Sequence, residues 1–522
     1  MGQARESAYY QVDNMKALDY HEATKHSWAR IHADAHYLDF ENMPHPFKIY
    51  SELARRPLPT GWTETDISAL SALADPGAPI SGEKVLNLED LAHLLSAVGI
   101  TKRRMYPGGE ILYRGASCTG ALYHIEVYIV CADLDGLSAG IYQFQPADFS
   151  LCPLRNGDHR QELVDASGAH RAVGEAPAVL VLTSTWWRNA WKYRARAYRH
   201  AWWDSGCMLA NLLALAAALD LPASVVLGYA DDAVNRLLDI DPQREASLAL
   251  VPLGRGGPGP VTPAPRIERL GLRTDPLSKY EVEYPEIPAT HTTSFLGNGT
   301  EAATWRRGLE RKGGLAPAGK LIPLEPANDG SLPTEPVEAV IRRRGSMRRC
   351  ARQSISFSQL STIIDRTTRG IPADYLAPLG ARLCDVYLIV HAVEGLPSGT
   401  YAYRPAHGAL ELLREGEFRE EAGSLGLGQE LAADASVNFY YLTDLHRVVD
   451  RFGDRGYRAA QLEGGVLGGK VYLAAYALGC GATGLTFLDD DVTDFFSPDA
   501  AGKAVMFLIA VGRSARRTRM SG

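Results

Sequence analysis

Along the chain, apolar positions gather in a few dense runs separated by polar, Gly- and Pro-rich stretches. Residues 207–219 (CMLANLLALAAAL) are apolar on every side, which predicts a buried helix. Residues 467–478 repeat that character. Short β-branched runs at 127–130 and 386–390 predict strands, and 178–182 and 505–511 predict core strands. At 88–98 and 357–364 the apolar spacing predicts amphipathic helices. Residues 485–488 read as a further strand. No run reaches the roughly 18 apolar residues of a membrane span. Residues 1–20 are polar and lack the apolar core of a secretory signal.

These elements come in pairs. Gly136-Leu137-Ser138-Ala139-Gly140-Ile141-Tyr142 resembles Gly395-Leu396-Pro397-Ser398-Gly399-Thr400-Tyr401 at a fixed offset (401 − 142 = 259). The same offset joins Arg196-Ala197-Tyr198-Arg199 to Arg455-Gly456-Tyr457-Arg458, Gly206 to Gly465, and Leu219 to Leu478. One residue then drops out, and Asp231-Asp232 falls on Asp489-Asp490. A register held over roughly 90 residues marks a duplication. Each copy reads as α+β, and two copies of one fold are expected to pack about a pseudo-two-fold axis, as a homodimer does. The expected division is an N-terminal copy over 1–254 (with an extension, 1–80), a Pro/Gly-rich linker over 255–335, and a C-terminal copy over 336–522. The linker shows no sustained periodicity and is long enough to wrap one half around the other. Further dimerisation of the fused pair is left open.

Composition narrows the class. With 522 residues, 46% hydrophobic and 22% charged, the chain is an ordinary globular protein of more than one domain. A net charge of −7 speaks against a nonspecific grip on nucleic acid. Seven scattered cysteines form no C-x-x-C pair, which fits reduced thiols in the cytoplasm. His32, His36 and His45 lie in a loop-rich stretch with no cysteine nearby, so no metal site is expected.

Copies diverge where one has lost a task, so their mismatches carry the chemistry. The C-terminal copy opens with Arg342-Arg343-Arg344-Gly345-Ser346-Met347-Arg348-Arg349, where the N-terminal copy has Asp75-Pro76-Gly77-Ala78-Pro79. Guanidiniums with a serine suit a phosphate; a solvated basic patch has the same composition. The N-terminal copy carries Ala116-Ser117-Cys118-Thr119-Gly120-Ala121-Leu122-Tyr123-His124, where the other reads Asp374-Tyr375-Leu376-Ala377-Pro378-Leu379. Small hydroxyl residues allow close backbone approach and donate hydrogen bonds. Lys192-Tyr193, able to exchange protons, faces Arg451-Phe452, which is not. Gly479-Cys480-Gly481-Ala482-Thr483-Gly484 has the G-x-G-x-x-G pattern but closes a helix and precedes a strand. It is therefore no dinucleotide fingerprint; its glycines read as helix caps that let the backbone lie near a cofactor. The tryptophans around Lys192 read mostly as packing.

Together these residues resemble the nitroreductase superfamily, and within it the SagB/ThcOx-type peptide azoline dehydrogenases. Arg344-x-Ser346-x-Arg348 resembles the superfamily's opening flavin-phosphate motif. Residues 116–126 resemble the P-S-A-G-A-L-Y-P-x-E stretch, with Cys118, Thr119 and His124 as departures. Lys192-Tyr193 with Arg196-x-Tyr198-Arg199 resembles K-Y…R-x-Y-R, and Tyr20-His21-Glu22-x-x-Lys25 resembles an N-terminal YHE-x-x-K. The resemblance implies FMN between two copies. The C-terminal copy would bring Arg344, Ser346, Arg348, Gly481, Gly484 and one or more of Arg513, Arg516 and Arg517. The N-terminal copy would bring Ser117, Thr119, Gly120 and the Lys192-Tyr193 pair. The opposite combination lacks these groups, so one FMN per chain is expected. The implied reaction is oxidation of a peptide thiazoline or oxazoline, with Lys192 or Tyr193 as a base whose pKa is lowered by Arg196 and Arg199. Alternatives are an NAD(P)H-dependent nitro or quinone reductase, an oxidase of another small molecule, and a non-catalytic partner in a peptide-modifying complex.

Overall fold

Two long helices form the axis of the molecule. In the computed structural model, which describes residues 15–33, 37–74, 85–106, 109–306 and 317–515, helix Ala197–Ala218 packs against helix Arg455–Ala477. Their approach requires glycine. A Cβ on Gly206 would lie 2.5 Å from the Gly465 carbonyl carbon, and one on Gly465 would lie 2.6 Å from the Trp203 carbonyl oxygen. Both helices start well before the apolar runs that predict them. Their opening turns carry buried Arg199, His200 and Asp204, and Arg455 and Arg458 in the other copy. The arginines find partners across the seam and His200 and Asp204 within their own copy, and hydropathy alone does not show that.

Each copy wraps a mixed layer of helices around an antiparallel sheet. In the N-terminal copy the strand order is Arg56–Pro57, Ser150–Asn156, Gly140–Gln145, Ile125–Cys131, Ala178–Thr185 and Glu245–Leu253. In the C-terminal copy it is Leu321–Pro323, Ala409–Glu415, Gly399–Arg404, Cys384–Val390, Val437–Thr443, Ala504–Gly512 and Gly481–Leu485. The inner five strands correspond one to one. The amphipathic helices appear as Leu88–Ser96 and Phe357–Thr368. The strand expected at 485–488 instead covers Gly481–Leu485, so Gly481 and Gly484 lie inside a strand and only Gly479, at φ 72°, closes the helix. Its alternating small residues pack flat against Ala504–Gly512, which is why the apolar pattern missed it.

Ion pairs are exchanged across the seam. Arg199 Nη1 lies 2.5 Å from Asp489 Oδ1, and Arg196 Nη1 lies 3.1 Å from Asp489 Oδ2. In the mirror position, Arg455 and Arg458 reach Asp231 at 2.6 and 2.7 Å. Each pair is covered by a strap. Arg199 donates to His21 O at 2.6 Å and Thr24 Oγ1 at 3.0 Å, while His26 N donates to Asp489 Oδ2 at 2.7 Å. Arg458 donates to His291 O at 2.5 Å and Ser294 Oγ at 2.7 Å, while Leu296 N donates to Asp231 Oδ2 at 2.9 Å. Residues 21–26 and 291–296 thus do the same work at opposite ends of the axis.

That second strap lies within the stretch expected as linker. This stretch also holds helices Glu286–Thr293 and Gly299–Trp305, and strand Leu321–Pro323 joins the C-terminal sheet. It spans both copies: Trp305 Nε1 donates to Phe452 O at 2.8 Å, and Arg306 reaches Gly228 O at 3.2 Å. No disulfide links the seven cysteines. Among the described residues no helix is long and apolar enough to cross a membrane.

Candidate active site

The two copies bring their unmatched motifs to one end of the axis. Arg344, at the end of helix Val337–Arg343, inserts its guanidinium beneath the N-terminal copy. Its Nε donates to Gly115 O at 2.5 Å and its Nη2 to Arg114 O at 3.4 Å. The guanidinium lies 5.4 Å from the Tyr472 ring centroid. Only 7% of Arg344 is exposed, yet among the described residues no carboxylate lies within ion-pair distance. A buried, always-charged group held only by carbonyls is poised for an anion. Ser346 joins it through Tyr472, whose hydroxyl lies 3.2 Å from Ser346 Oγ and accepts from Gly484 N at 2.6 Å.

Beside Arg344 runs the small-residue loop of the N-terminal copy. Ser117 lies against the Cys207 thiol at the helix seam. Thr119-Gly120-Ala121 forms one tight turn. Gly120 has φ 63°, and Ala121 and Tyr123 also adopt left-handed backbone, at φ 55° and 49°. Such conformations cost energy in non-glycine residues and persist only when held from outside. Asp204 holds them. Its Oδ1 accepts from Thr119 N at 2.9 Å and Thr119 Oγ1 at 2.8 Å. Its Oδ2 accepts from Cys118 Sγ at 3.1 Å and lies 2.9 Å from His124 Nε2.

Lys192 and Tyr193 end the short helix Trp186–Tyr193, and Tyr193 lies over this loop. A Cβ at Gly120 would meet the Tyr193 hydroxyl at 2.9 Å, so glycine is what lets the ring approach. The Lys192 ammonium sits 5.3 Å from the Tyr193 ring centroid, and His200 packs edge-on at 4.4 Å. Burial pushes the Tyr193 phenol well above its ordinary pKa, and the Asp204 and Cys118 charges add to that. For Tyr193 the expectation that Arg196 and Arg199 would lower its pKa is therefore corrected: both guanidiniums are committed to Asp489 and the strap. Trp186, Trp187, Trp191, Trp202 and Trp203 are all buried, as packing residues should be; Trp203 Nε1 crosses the seam to Gln461 Oε1 at 2.6 Å.

Other predicted residues stand farther out. Arg348 is exposed. Arg513 donates to Gly479 O at 3.1 Å and Gln359 Oε1 at 3.2 Å. Gly481 packs on its own copy, where a Cβ would meet Ser514 Oγ at 2.5 Å. Arg516 and Arg517 lie outside the described residues. Sequence reasoning missed Asp204, His124 and Tyr472 as site residues. The signal was present: at the constant offset they face Glu463, Leu383 and Leu213.

The nitroreductase family profile matches residues 81–255 and again 341–513. The chain belongs to the nitroreductase family. It carries the family unit twice, and the α+β pseudo-dimer expected from the sequence is the fold observed. A crystal structure from Anabaena variabilis, named as a nitroreductase, covers 96% of this chain and 100% of its own at 26% identity, with a TM-score of 0.77. A protein of Methanocaldococcus jannaschii named as a nitroreductase, MJ1384, is 27% identical over 171 residues, 33% of this chain and 81% of its own length. Trifolitoxin-processing protein TfxB of Rhizobium leguminosarum bv. trifolii is 28% identical over 201 residues, 36% of this chain and 51% of its own. Microcin B17-processing protein McbC of Escherichia coli is 28% identical over 151 residues, 28% of this chain and 52% of its own. The tandem nitroreductase thus spans about half the length of the two processing proteins. Its motifs resemble those of the SagB/ThcOx type, and two of its relatives are named for processing trifolitoxin and microcin B17.

Proposed function

We propose that this tandem nitroreductase is a cytoplasmic FMN-dependent dehydrogenase or oxidase that converts a peptide thiazoline or oxazoline, or a related natural-product intermediate, to the aromatic ring. Family membership puts it among oxidoreductases, and two relatives named for processing trifolitoxin and microcin B17 support a peptide substrate. The observation that carries the reading is Arg344 of one copy seated against the Asp204-held loop of the other. The donor set fits a flavin phosphate: a buried guanidinium with no carboxylate partner among the described residues, the Ser346 hydroxyl, and the small-residue backbone beside it. Arg348 and Arg513 add positive charge farther out on the same copy.

Bound FMN would supply the two-electron acceptor. The chain's own task is to orient the ring and take a proton from its Cα. Burial keeps the Tyr193 phenol protonated, so within the pair it is assigned the hydrogen-bond donor, and Lys192, in its deprotonated form, the base. The full-length chain should purify yellow with one FMN, and should remove two hydrogens from a synthetic azoline peptide, read by mass spectrometry. Two equivalent flavins per chain, or a colourless chain that takes up none, overturns the assignment. The resemblance to proteins named as nitroreductases keeps a second reading open, in which NAD(P)H is the hydride donor and a nitroaromatic or quinone the acceptor. Bleaching of the flavin by NADPH alone selects it.

A further inference from the structure

We propose that Cys118, His124 and Asp204 form a site for one zinc-type divalent transition-metal ion. The spacing of these residues along the chain, six and eighty positions, matches no metal motif, and no metal site was expected. The fold nevertheless gathers one sulfur, one imidazole nitrogen and one carboxylate oxygen within 4.8 Å of one another.

The Asp204 carboxylate is anchored on one side and offered on the other. Thr119 N bridges both oxygens, at 2.9 and 3.0 Å, and Thr119 Oγ1 donates to Oδ1. Oδ2 also faces Cys118 Sγ at 3.1 Å and His124 Nε2 at 2.9 Å. A monodentate carboxylate ligand is held in this way, with its other oxygen fixed by hydrogen bonds. His124 is oriented in the same way: its far nitrogen, Nδ1, lies 2.8 Å from Ser184 Oγ, leaving Nε2 for the ion. In a tetrahedral zinc site the corresponding edges are about 3.3 to 3.5 Å. Opening the two contacts to Oδ2 by a few tenths of an ångström brings them to those edges.

Charge balance points the same way. Asp204 is 5% exposed, and among the described residues no Lys or Arg lies within ion-pair distance of it. A thiolate, a carboxylate and a dication sum to zero, which suits a buried position better than a lone carboxylate. When the ion binds, the Cys118 thiol proton leaves to solvent and the sulfur coordinates as thiolate. The sulfur and imidazole ligands select zinc-like ions over magnesium or calcium. Cys118 is the partly exposed member and marks the way in, and three protein ligands leave a fourth position for water or a substrate atom. At the mirror position no such set exists. Leu383 replaces His124, and Glu463 accepts instead from the Leu383 and Cys384 backbone amides, at 2.8 and 3.3 Å.

The test is to load tag-free full-length chain with a small excess of zinc sulfate, remove unbound metal by gel filtration, and measure zinc by plasma mass spectrometry and X-ray absorption. About one zinc per chain is expected, with a single sulfur neighbour at about 2.3 Å. Cys118→Ala, at a half-exposed position, should keep its thermal transition and lose the zinc or its sulfur neighbour. Asp204→Asn should lose the zinc at least ten-fold. Less than a tenth of an ion per chain, zinc with no sulfur neighbour in the parent, or a Cys118→Ala chain whose zinc keeps both its amount and its sulfur neighbour refutes the site and leaves a hydrogen-bonded cluster that pins the loop. None of these outcomes depends on the proposed azoline chemistry.

Discussion

The two ends of the pseudo-two-fold axis differ more than the seam that joins them. At one end, Asp204 organises a loop of small residues beside Arg344. At the other, Glu463 caps two backbone amides. Two cavities of about 10 Å³ each lie there, lined by Gly370, Ile371, Glu463 and Lys470 among others, with room for at most one water apiece. Between the ends, the glycine contact, the crossed arginine–aspartate pairs and the straps are kept in both orientations. Duplication freed each copy to lose half a site, provided that the surface holding the halves together was not lost with it.

If the seam is what both copies must keep, breaking it should have the largest effect, and from either side. Gly206→Leu and Gly465→Leu each drive a side chain into backbone at under 3 Å. Each should cost about 3 kcal/mol or more and give little soluble folded chain, read by expression yield and urea melts. A mild effect from one and a severe effect from the other would show that the axis is not shared equally. Next come the crossed pairs. Asp489→Asn leaves two buried guanidiniums facing a neutral group and should destabilise by about 3–5 kcal/mol. Arg196 and Arg199 hold the Asp489 carboxyl far below its ordinary pKa. A depressed carboxyl contributes stability that is present above its unfolded pKa, about 4, and is lost as pH falls further. The parent should therefore weaken steeply below about pH 4, and Asp489→Asn should lose that part of the slope.

How far these contrasts were legible depended on what kind of residue carried them. The duplicated helices and inner strands announced themselves, because burial on all sides leaves an apolar run that survives without context. The opening turns of the long helices did not: Arg199 and Arg458 look like surface until the other copy supplies their partners, and Asp204 until the loop of its own copy closes on it. The strap at 291–296 shares little sequence with 21–26, because its work is done by backbone carbonyls, amides and a hydroxyl that several residue types can provide. Arg344, Lys192 and Tyr193 stood out only as mismatches between copies. Cys118 and His124 were seen as departures from a motif, but Asp204, which gives them a common purpose, sits in a helix whose apolar remainder hid it.

The functional contrast is sharpened by paired substitutions. Lys192→Ala should lower turnover by about 10²- to 10⁴-fold with FMN retained, whereas Arg451→Ala at the mirror position should change it little. Equal losses would mean that both ends work. Arg344→Gln should weaken FMN binding by at least about ten-fold, or roughly 1.4 kcal/mol, in a fluorescence titration. Lys470→Met, at the Glu463 end, should leave FMN affinity as it is.

The smallest effect separates a retired site from a structural one. Burial raises the Glu463 carboxyl from 4.5 to about 8, against the pull of the Leu383 and Cys384 amides and Arg382, with Asp385 adding to the rise. A raised carboxyl contributes stability that is complete below the unfolded pKa, about 4.5, and is lost as pH rises towards 8. At the same end, burial lowers the Lys470 amine to about 7, with Arg369 acting in the same direction. Its contribution runs the other way, present above the unfolded pKa of about 10.4 and lost as pH falls through 7. Glu463→Gln should therefore flatten the loss of stability between pH 5 and 8, and leave the chain about 1–2 kcal/mol more stable than the parent at pH 8. Lys470→Met should flatten the opposite slope, between about pH 10 and 7. If both variants only destabilise, at every pH, these charges hold that end together. If both stabilise in their own windows, they are remnants of a site that once needed them, and the chain has kept its two-fold seam while letting one of its two sites go.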